Sequence, residues 1–267
     1  LLLNLGHDGV VDLLMREVVQ AQVVKGWTLW ESLTQRSAIE EEQRRQFPQA
    51  ELQWQSWLNA EFLTSPLDPR RADSTGVRPA LYGSLLIILI TIVVAFPIGV
   101  GAAIYLEEYA GHNRLNQIIE TNINNLAGVP SIIYGMLGLV IFVRALEQLT
   151  SGQAFGANTA NGRTVLSAGF TLALLILPLI IINAQEAIRA VPSSLRQASY
   201  GLGATQWQTI WHHVLPYAMP GILTGTILAI SRATGETAPL ILVGGATYLT
   251  RDPEGPFSIF TALPLLI

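Results

Sequence analysis

Twenty-six consecutive residues, Leu81 to Leu106, contain no charged side chain. About 20 apolar residues in a helix cross the hydrocarbon core of a bilayer, where only helices and closed barrels satisfy their own backbone groups. This segment is expected to be a transmembrane helix, with Pro97 and Gly99 as kink points. A second uncharged stretch runs from Thr121 to Val143, and its Gly135 and Gly138 predict close packing against protein rather than lipid. A third runs from Thr164 to Gln185, with Pro178 inside it. The fourth, Val214 to Thr250, has 37 residues, about 56 Å as a straight helix and more than one crossing. Its prolines at 216, 220 and 239 favour one helix from about Pro216 to Ile241, then a break at Gly244–Gly245. The fold class expected is all-α, a polytopic membrane helical bundle with spans near 81–106, 121–146, 164–185 and 216–241.

Charge is distributed to match. Residues 1–79 hold 19 of the 34 charged side chains, and the 188 positions from 80 to 267 hold 15. The second part is far below the roughly 25% of a soluble domain, so a soluble enzyme, a disordered chain and a collagen are disfavoured. The chain has no Cys, which excludes disulfides, thiol catalysis and cysteine-based zinc sites. A net charge of −4 gives no argument for a nucleic-acid partner. Residues 1–79 read as the stub of a preceding helix, a soluble helical insert and a linker from Pro66 to Pro79. Thr28 and Glu31 have capping-box spacing, and Leu29, Trp30 and Leu33 form an apolar stripe on the helix they start. The run Glu40–Arg45 reads as a solvated face, and the apolar end Ala262–Ile267 as the stub of a following helix.

Between the third and fourth stretches, residues 186–215 form a separate segment. Ser193 and Ser194 after Pro192 are candidate caps of a first short helix ending near Gly201–Gly203. Thr205 with Gln208 is a capping box for a second, which places Trp207, Ile210, Trp211, Val214 and Leu215 on one side. In form this is either a docking element or a plain interfacial hairpin.

The run Gln197-Ala198-Ser199, then Gly203, then Leu215-Pro216 resembles the EAA motif of permease subunits in bacterial ABC importers. Three positions depart from it: Gln197 replaces Glu, Ser199 replaces the second Ala, and His213 occupies the Ile position. The wider stretch Val191–Ile210 is similar to the PstA-type phosphate permeases, as are Phe62–Pro66, Gly101–Leu106 and Arg232-Ala-Thr-Gly-Glu-Thr-Ala-Pro239. The likeness covers residues 57–267 and leaves out 8–56, which read as an insertion. It implies a MetI-like fold and an inner-membrane location. It also implies coupling to an ATP-binding subunit dimer through Gln197, Ala198, Ser199, Gly203, Leu215 and Pro216. In that arrangement the cofactors, ATP and Mg, belong to the ATPase partner. The other implied partners are a second permease subunit, a periplasmic phosphate-binding protein and membrane lipid. Gly203 suits the tight turn between two helices. Small Ala198 and Ser199 suit close approach to a partner, and Pro216 is expected to separate the coupling helix from the membrane helix.

The fourth stretch has two charges, Arg232 and Glu236. Four residues apart on a helix, they share a face, and charges inside a membrane mark functional sites by default. Two readings stand: a structural ion pair, or a path for an anion in which Arg232 holds phosphate by its guanidinium fork. In the second, Thr234 and Thr237 lend hydroxyl donors, and Glu236 accepts a hydrogen bond from the protonated oxygen of hydrogen phosphate. There is no phosphate-binding Gly-rich loop, Gly-x-Ser-x-Gly elbow or His-Glu-x-x-His, so no catalytic or metal-ligating set is assigned. His212 and His213 diverge on a helix, His7 and His112 are isolated, and Glu107 and Glu108 mark an aqueous boundary. Alternatives are a permease for sulfate or molybdate, an ATP-independent channel or secondary transporter, and a membrane scaffold. A missing first helix starting in the cytoplasm would place the insert outside.

Overall fold

The computed structural model describes residues 24–52, 54, 60–66, 76–111, 113–156, 161–246, 249 and 251–266. Among these, all regular structure is helical. His7, His112, the residues before 24 and most of the linker lie outside the described residues.

The chain divides into two compact units, residues 1–59 and 60–267. In the first, α1 (Leu29–Thr34) starts on the expected capping box: Thr28 Oγ1 accepts from the Glu31 amide at 3.3 Å, and the Glu31 carboxylate accepts from the Thr28 amide at 2.9 Å. The Thr28 amide bond holds the Glu31 carboxyl below the usual carboxylate range, helped by the Thr28 hydroxyl. Leu29, Trp30 and Leu33 are all exposed. Helix α2 (Arg36–Gln46) follows, with Lys25 bonded to Glu42 and the Arg36 guanidinium 4.6 Å from the Trp54 ring centre.

The second unit begins earlier than the change of charge density at residue 79. Helix α3 (Ala60–Thr64) belongs to it because Val77 donates to the Phe62 carbonyl at 2.9 Å and Arg78 Nη1 donates to the Thr64 carbonyl at 2.8 Å. Helix α4 (Arg78–Ile104) runs on through a wide π turn, Tyr105–Tyr109, and is uninterrupted at Pro97. The second apolar stretch is not one helix. It is α5 (Arg114–Ala127) and α6 (Ser131–Gly138), the latter prolonged by a π segment to Ala145, and the two are bent by 103°. Pro130 explains the bend: it has no N–H, and its ring pushes Val129 out of the helical region. After a short turn of helix, α7 (Glu147–Thr150), α8 (Val165–Arg189) passes through Pro178 unbroken. It is the central helix, with 67% of its apolar window buried, against 28% for the α4 span and 33% for Gln206–Thr234.

Next come α9 (Ser193–Gly201), α10 (Gln206–Thr209) and α11 (Leu215–Thr234). The expected separation at Pro216 is absent, since helix is continuous from Gln206 to Thr234. The π turn Ile210–Val214 accommodates the proline: Leu215 donates back to Ile210, and Pro216 falls in the first turn of the next α segment, where no donor is required. The expected single helix to Ile241 is likewise interrupted. It stops at Thr234 and restarts as α12 (Ala238–Val243), because Pro239 cannot donate and its ring would meet the carbonyl four residues back. A last short helix, α13, spans Leu263–Leu266.

Small residues set the packing distances. A Cβ on Gly138 would lie 2.2 Å from Thr171 Oγ1, one on Gly169 2.6 Å from Ile90 Cγ2, and one on Gly135 2.7 Å from the Cα of Pro239. So α6 meets both α8 and α12 at contact distance, as its glycines predicted. The bundle has two distinguishable ends. At one, Glu107 and Glu108 of the α4 π turn meet Arg189 and Arg196. At the other, Arg78 pairs with Asp252 at 3.0 Å, and the first amides of α8, Val165 and Leu166, donate to Ser258 and Pro256.

Candidate functional site

The candidate residues fall into two groups, one toward each end of the bundle. Arg232 sits in the last turn of α11, and Glu236 lies beyond its end in the break before α12. They do not share a continuous helix, yet the break brings Glu236 back to the guanidinium. The closest approach is Nε to Oε1 at 3.5 Å, the outer limit of a hydrogen bond, with the Arg232 side chain 43% exposed and that of Glu236 18%. A pair so open and so long contributes well under 1 kcal/mol to stability.

The depth of this pair follows from its neighbours. Ala233 and Thr234 share a crevice with Ser84, Ile87, Ile88, Leu172 and Leu240. Ser84, Ile87, Ile88 and Leu172 lie six to ten positions inside the starts of α4 and α8, about 9–15 Å along the helices. Arg232 is thus nearer the end opposite Arg196 than the bundle's middle. Tyr134 is buried in α6 and donates to the Leu126 carbonyl at 2.7 Å. The two threonines are not free donors. Thr234 Oγ1 donates to the Ile230 carbonyl at 2.9 Å, and Thr237 Oγ1 to the Pro264 carbonyl at 3.2 Å. Thr234 turns back onto a carbonyl of its own helix and Thr237 reaches one 27 residues on, so both offer acceptor lone pairs only.

At the other end, α9 and α10 form a helical hairpin. Pro192, not a serine side chain, occupies the cap position of α9, with Ser193 and Ser194 inside its first turn. The turn depends on Gly203, whose φ of +82° lies in the left-handed region. The capping box of α10 is complete, with Gln208 donating to Thr205 Oγ1 at 3.3 Å and Thr205 donating to Gln208 Oε1 at 2.9 Å. Of the motif positions, Gln197, Ala198, Gly203 and Pro216 are exposed and Leu215 is half-buried. Ser199 is buried and does not face a partner: its hydroxyl bonds Thr209 Oγ1 at 2.8 Å, tying the two hairpin helices together. The one-sided stripe also divides. Ile210 and Val214 are buried, whereas Trp207 and Trp211 are exposed and stack on each other with ring centres 5.5 Å apart.

Sequence reasoning missed the acidic partners of this hairpin. Glu108 lies under Arg196, which approaches it at 2.8 Å through Nη2 and 3.1 Å through Nε, and Glu107 pairs with Arg189. The signal available was the Glu-Glu pair closing a charge-free span, but its partners lie 82 and 88 residues away.

These features match known proteins. The family model described as "Binding-protein-dependent transport system inner membrane component" matches residues 95–263. The chain is 35% identical over 192 residues to the "Probable ABC transporter permease protein YqgI" of Bacillus subtilis (strain 168), covering 72% of this chain and 60% of that protein. It is 39% identical over 193 residues to the "Phosphate transport system permease protein PstA 1" of Mycobacterium tuberculosis (strain ATCC 25618 / H37Rv), covering 72% and 58%. It is 35% identical over 210 residues to the "Phosphate transport system permease protein PstC" of Pasteurella multocida (strain Pm70), covering 72% and 62%. The chain thus spans about three-fifths of the length of these relatives. With its helices apolar and long enough to cross a membrane, the chain belongs to the inner-membrane permease family of binding-protein-dependent ABC transport systems.

Proposed function

We propose that this chain is a permease subunit of an ATP-driven importer that moves inorganic phosphate across the cytoplasmic membrane by alternating access. The observation that carries this reading is Arg232: a half-exposed guanidinium near a helix break, only loosely engaged by Glu236 and lying within an apolar bundle. An arginine so placed is available to an anion, and its fork matches two phosphate oxygens at once. Glu236 has a second role in this scheme, steadying Arg232 when the path is empty and accepting a hydrogen bond from the protonated oxygen of hydrogen phosphate when it is filled. Fully ionised sulfate has no such proton to give. The names of the PstA and PstC relatives support phosphate over other oxyanions.

The hairpin is the element on which ATP hydrolysis acts in this reading. Its exposed Gln197, Ala198, Gly203, Trp207 and Trp211 would sit on an ATP-binding subunit. A second permease subunit would complete the path, and a phosphate-binding protein would deliver the anion from outside. ATP and Mg stay with the ATPase partner. The test is purification of the assembled complex, followed by uptake of labelled phosphate into vesicles with excess sulfate or molybdate. The proposal predicts co-purifying ATPase subunits and phosphate uptake that the competitors do not reduce. Competition by sulfate or molybdate at equal concentration would reassign the substrate, and uptake without ATP would reassign the class to channel or secondary transporter.

A further inference from the structure

Two ion pairs join the α4 π turn to the hairpin end of the bundle, and they differ in kind. Arg189 and Glu107 form the open one, with 58% of the arginine side chain exposed. Arg196 and Glu108 form the closed one, with side chains 21% and 7% exposed. Arg196 uses its whole guanidinium. Nε and Nη2 donate to Glu108 Oε1 at 3.1 and 2.8 Å, Nη1 to the Val191 carbonyl at 2.7 Å, and Nη2 also to the Ile188 carbonyl at 2.9 Å. Ile188 is in the last turn of α8 and Val191 just beyond it, so the arginine fills carbonyls left free at a helix end. From the other hairpin helix, Gln206 Nε2 donates to the main-chain carbonyl of Glu108. Both arms of the hairpin are therefore fastened to one residue of α4, and the first arm also to α8.

Helix α4 continues from Glu108 to Ser84, Ile87 and Ile88, which line the crevice beside Ala233 and Thr234. That is 20 to 24 residues, or about 30–36 Å of continuous helix. We propose that Glu108 and Arg196 are the positioning residues that couple the hairpin to the anion path: displacement of the hairpin is passed through this pair to α4, and α4 carries it to the crevice lined by Ala233 and Thr234, next to Arg232 in the chain. This rests on the reading of the hairpin as the ATPase-facing element. A link of this kind requires an element rigid along its length and fixed at both ends. Arg189 also grips Glu107 through two nitrogens, but in the open and on its side chain alone, whereas the more enclosed Arg196–Glu108 pair is tied to main-chain carbonyls of α8 and its C-terminal end as well.

The experiment uses the assembled transporter in vesicles, with its ATPase, second permease subunit and binding protein. Phosphate imported per ATP hydrolysed is measured for wild type, Glu108→Gln, Arg196→Gln and the double variant, with retained ATPase subunit measured alongside. The expected result is that the single variants keep the ATPase subunit but lower the ratio at least about fivefold, and that the double is no worse than the worse single. A ratio equal to wild type, or a double variant whose loss is the product of the single losses, overturns the proposal. Arg196→Lys keeps the charge without the fork and serves where the neutral variants do not accumulate. It should assemble and lower the ratio, and a wild-type ratio there overturns the link as well. If wild type retains an ATPase subunit and only the ratio refuses to move, the link alone falls. If wild type retains none, the reading of the hairpin falls with it.

Discussion

Replacement of Gly135 by Ala adds one methyl group where the structure has no room for it. The new Cβ would lie 2.7 Å from Pro239 Cα and 2.9 Å from Leu242 Cδ1. Carbon atoms in contact prefer about 3.5–4.0 Å, so α6 and α12 must part by roughly 0.8–1.3 Å. The leucine methyl can rotate aside, but the proline Cα belongs to the backbone and cannot. Overpacking of this kind costs about 1–3 kcal/mol, while Ala for Gly inside a helix returns about 1 kcal/mol. Gly101 supplies the control: it is also within a helix, and a Cβ there meets nothing within 4 Å. Because the propensity gain is common to both, the stability difference between the variants isolates the overpacking cost. Purified G135A is expected to unfold below wild type in a thermal or denaturant titration, and G101A at or above it, with a gap of about 1–3 kcal/mol. Equal stability of the two variants would refute the close packing of α6 on α12.

Other outcomes follow from the hairpin, the insert and the charged pair. Ser199→Ala leaves the fully buried Thr209 hydroxyl without its partner and should cost about 1–3 kcal/mol, whereas S199A with T209V should recover most of it; a double-mutant cycle in denaturant checks this. Thr28→Ala removes the hydroxyl partner of Glu31, so the carboxyl should titrate at higher pH, as read by NMR of the side chain. Since the folded-state value is depressed, the capping contribution is present above the unfolded value and is lost as pH falls through the folded one. Glu236→Gln should leave stability within about 1 kcal/mol and narrow the preference for phosphate over sulfate, measured by competition in vesicles.

Much of the fold was legible because hydrocarbon imposes a coarse rule. Long uncharged runs must be helices, and Gly135 and Gly138 had to face protein because nothing else in a membrane rewards a bare backbone. Capping boxes at Thr28 and Thr205 were legible because both partners lie within one turn. What escaped notice was where a helix changes its hydrogen-bond register. Pro130 breaks one apolar stretch while Pro97 and Pro178 do not break theirs, because that choice depends on what neighbouring helices can accommodate. The π turns at Tyr105–Tyr109 and Ile210–Val214 leave no local signature, yet the first carries Glu107 and Glu108 and the second carries exposed Trp211. Arg232 was found from composition alone, as a charge with no business in an apolar run. The hydroxyl bonds of Thr234 and Thr237, like the seating of Ser199 on Thr209, depend on three-dimensional neighbours and were not legible.

The central claim is that Arg232 carries phosphate through an ATP-driven permease. Its most direct test is ATP-dependent accumulation of labelled phosphate in vesicles holding the assembled complex, comparing wild type with Arg232→Ala at equal content of ATPase subunit. The account predicts uptake by wild type only in the presence of ATP, and uptake by the variant reduced to the level without ATP. Uptake by Arg232→Ala at the wild-type rate would contradict it.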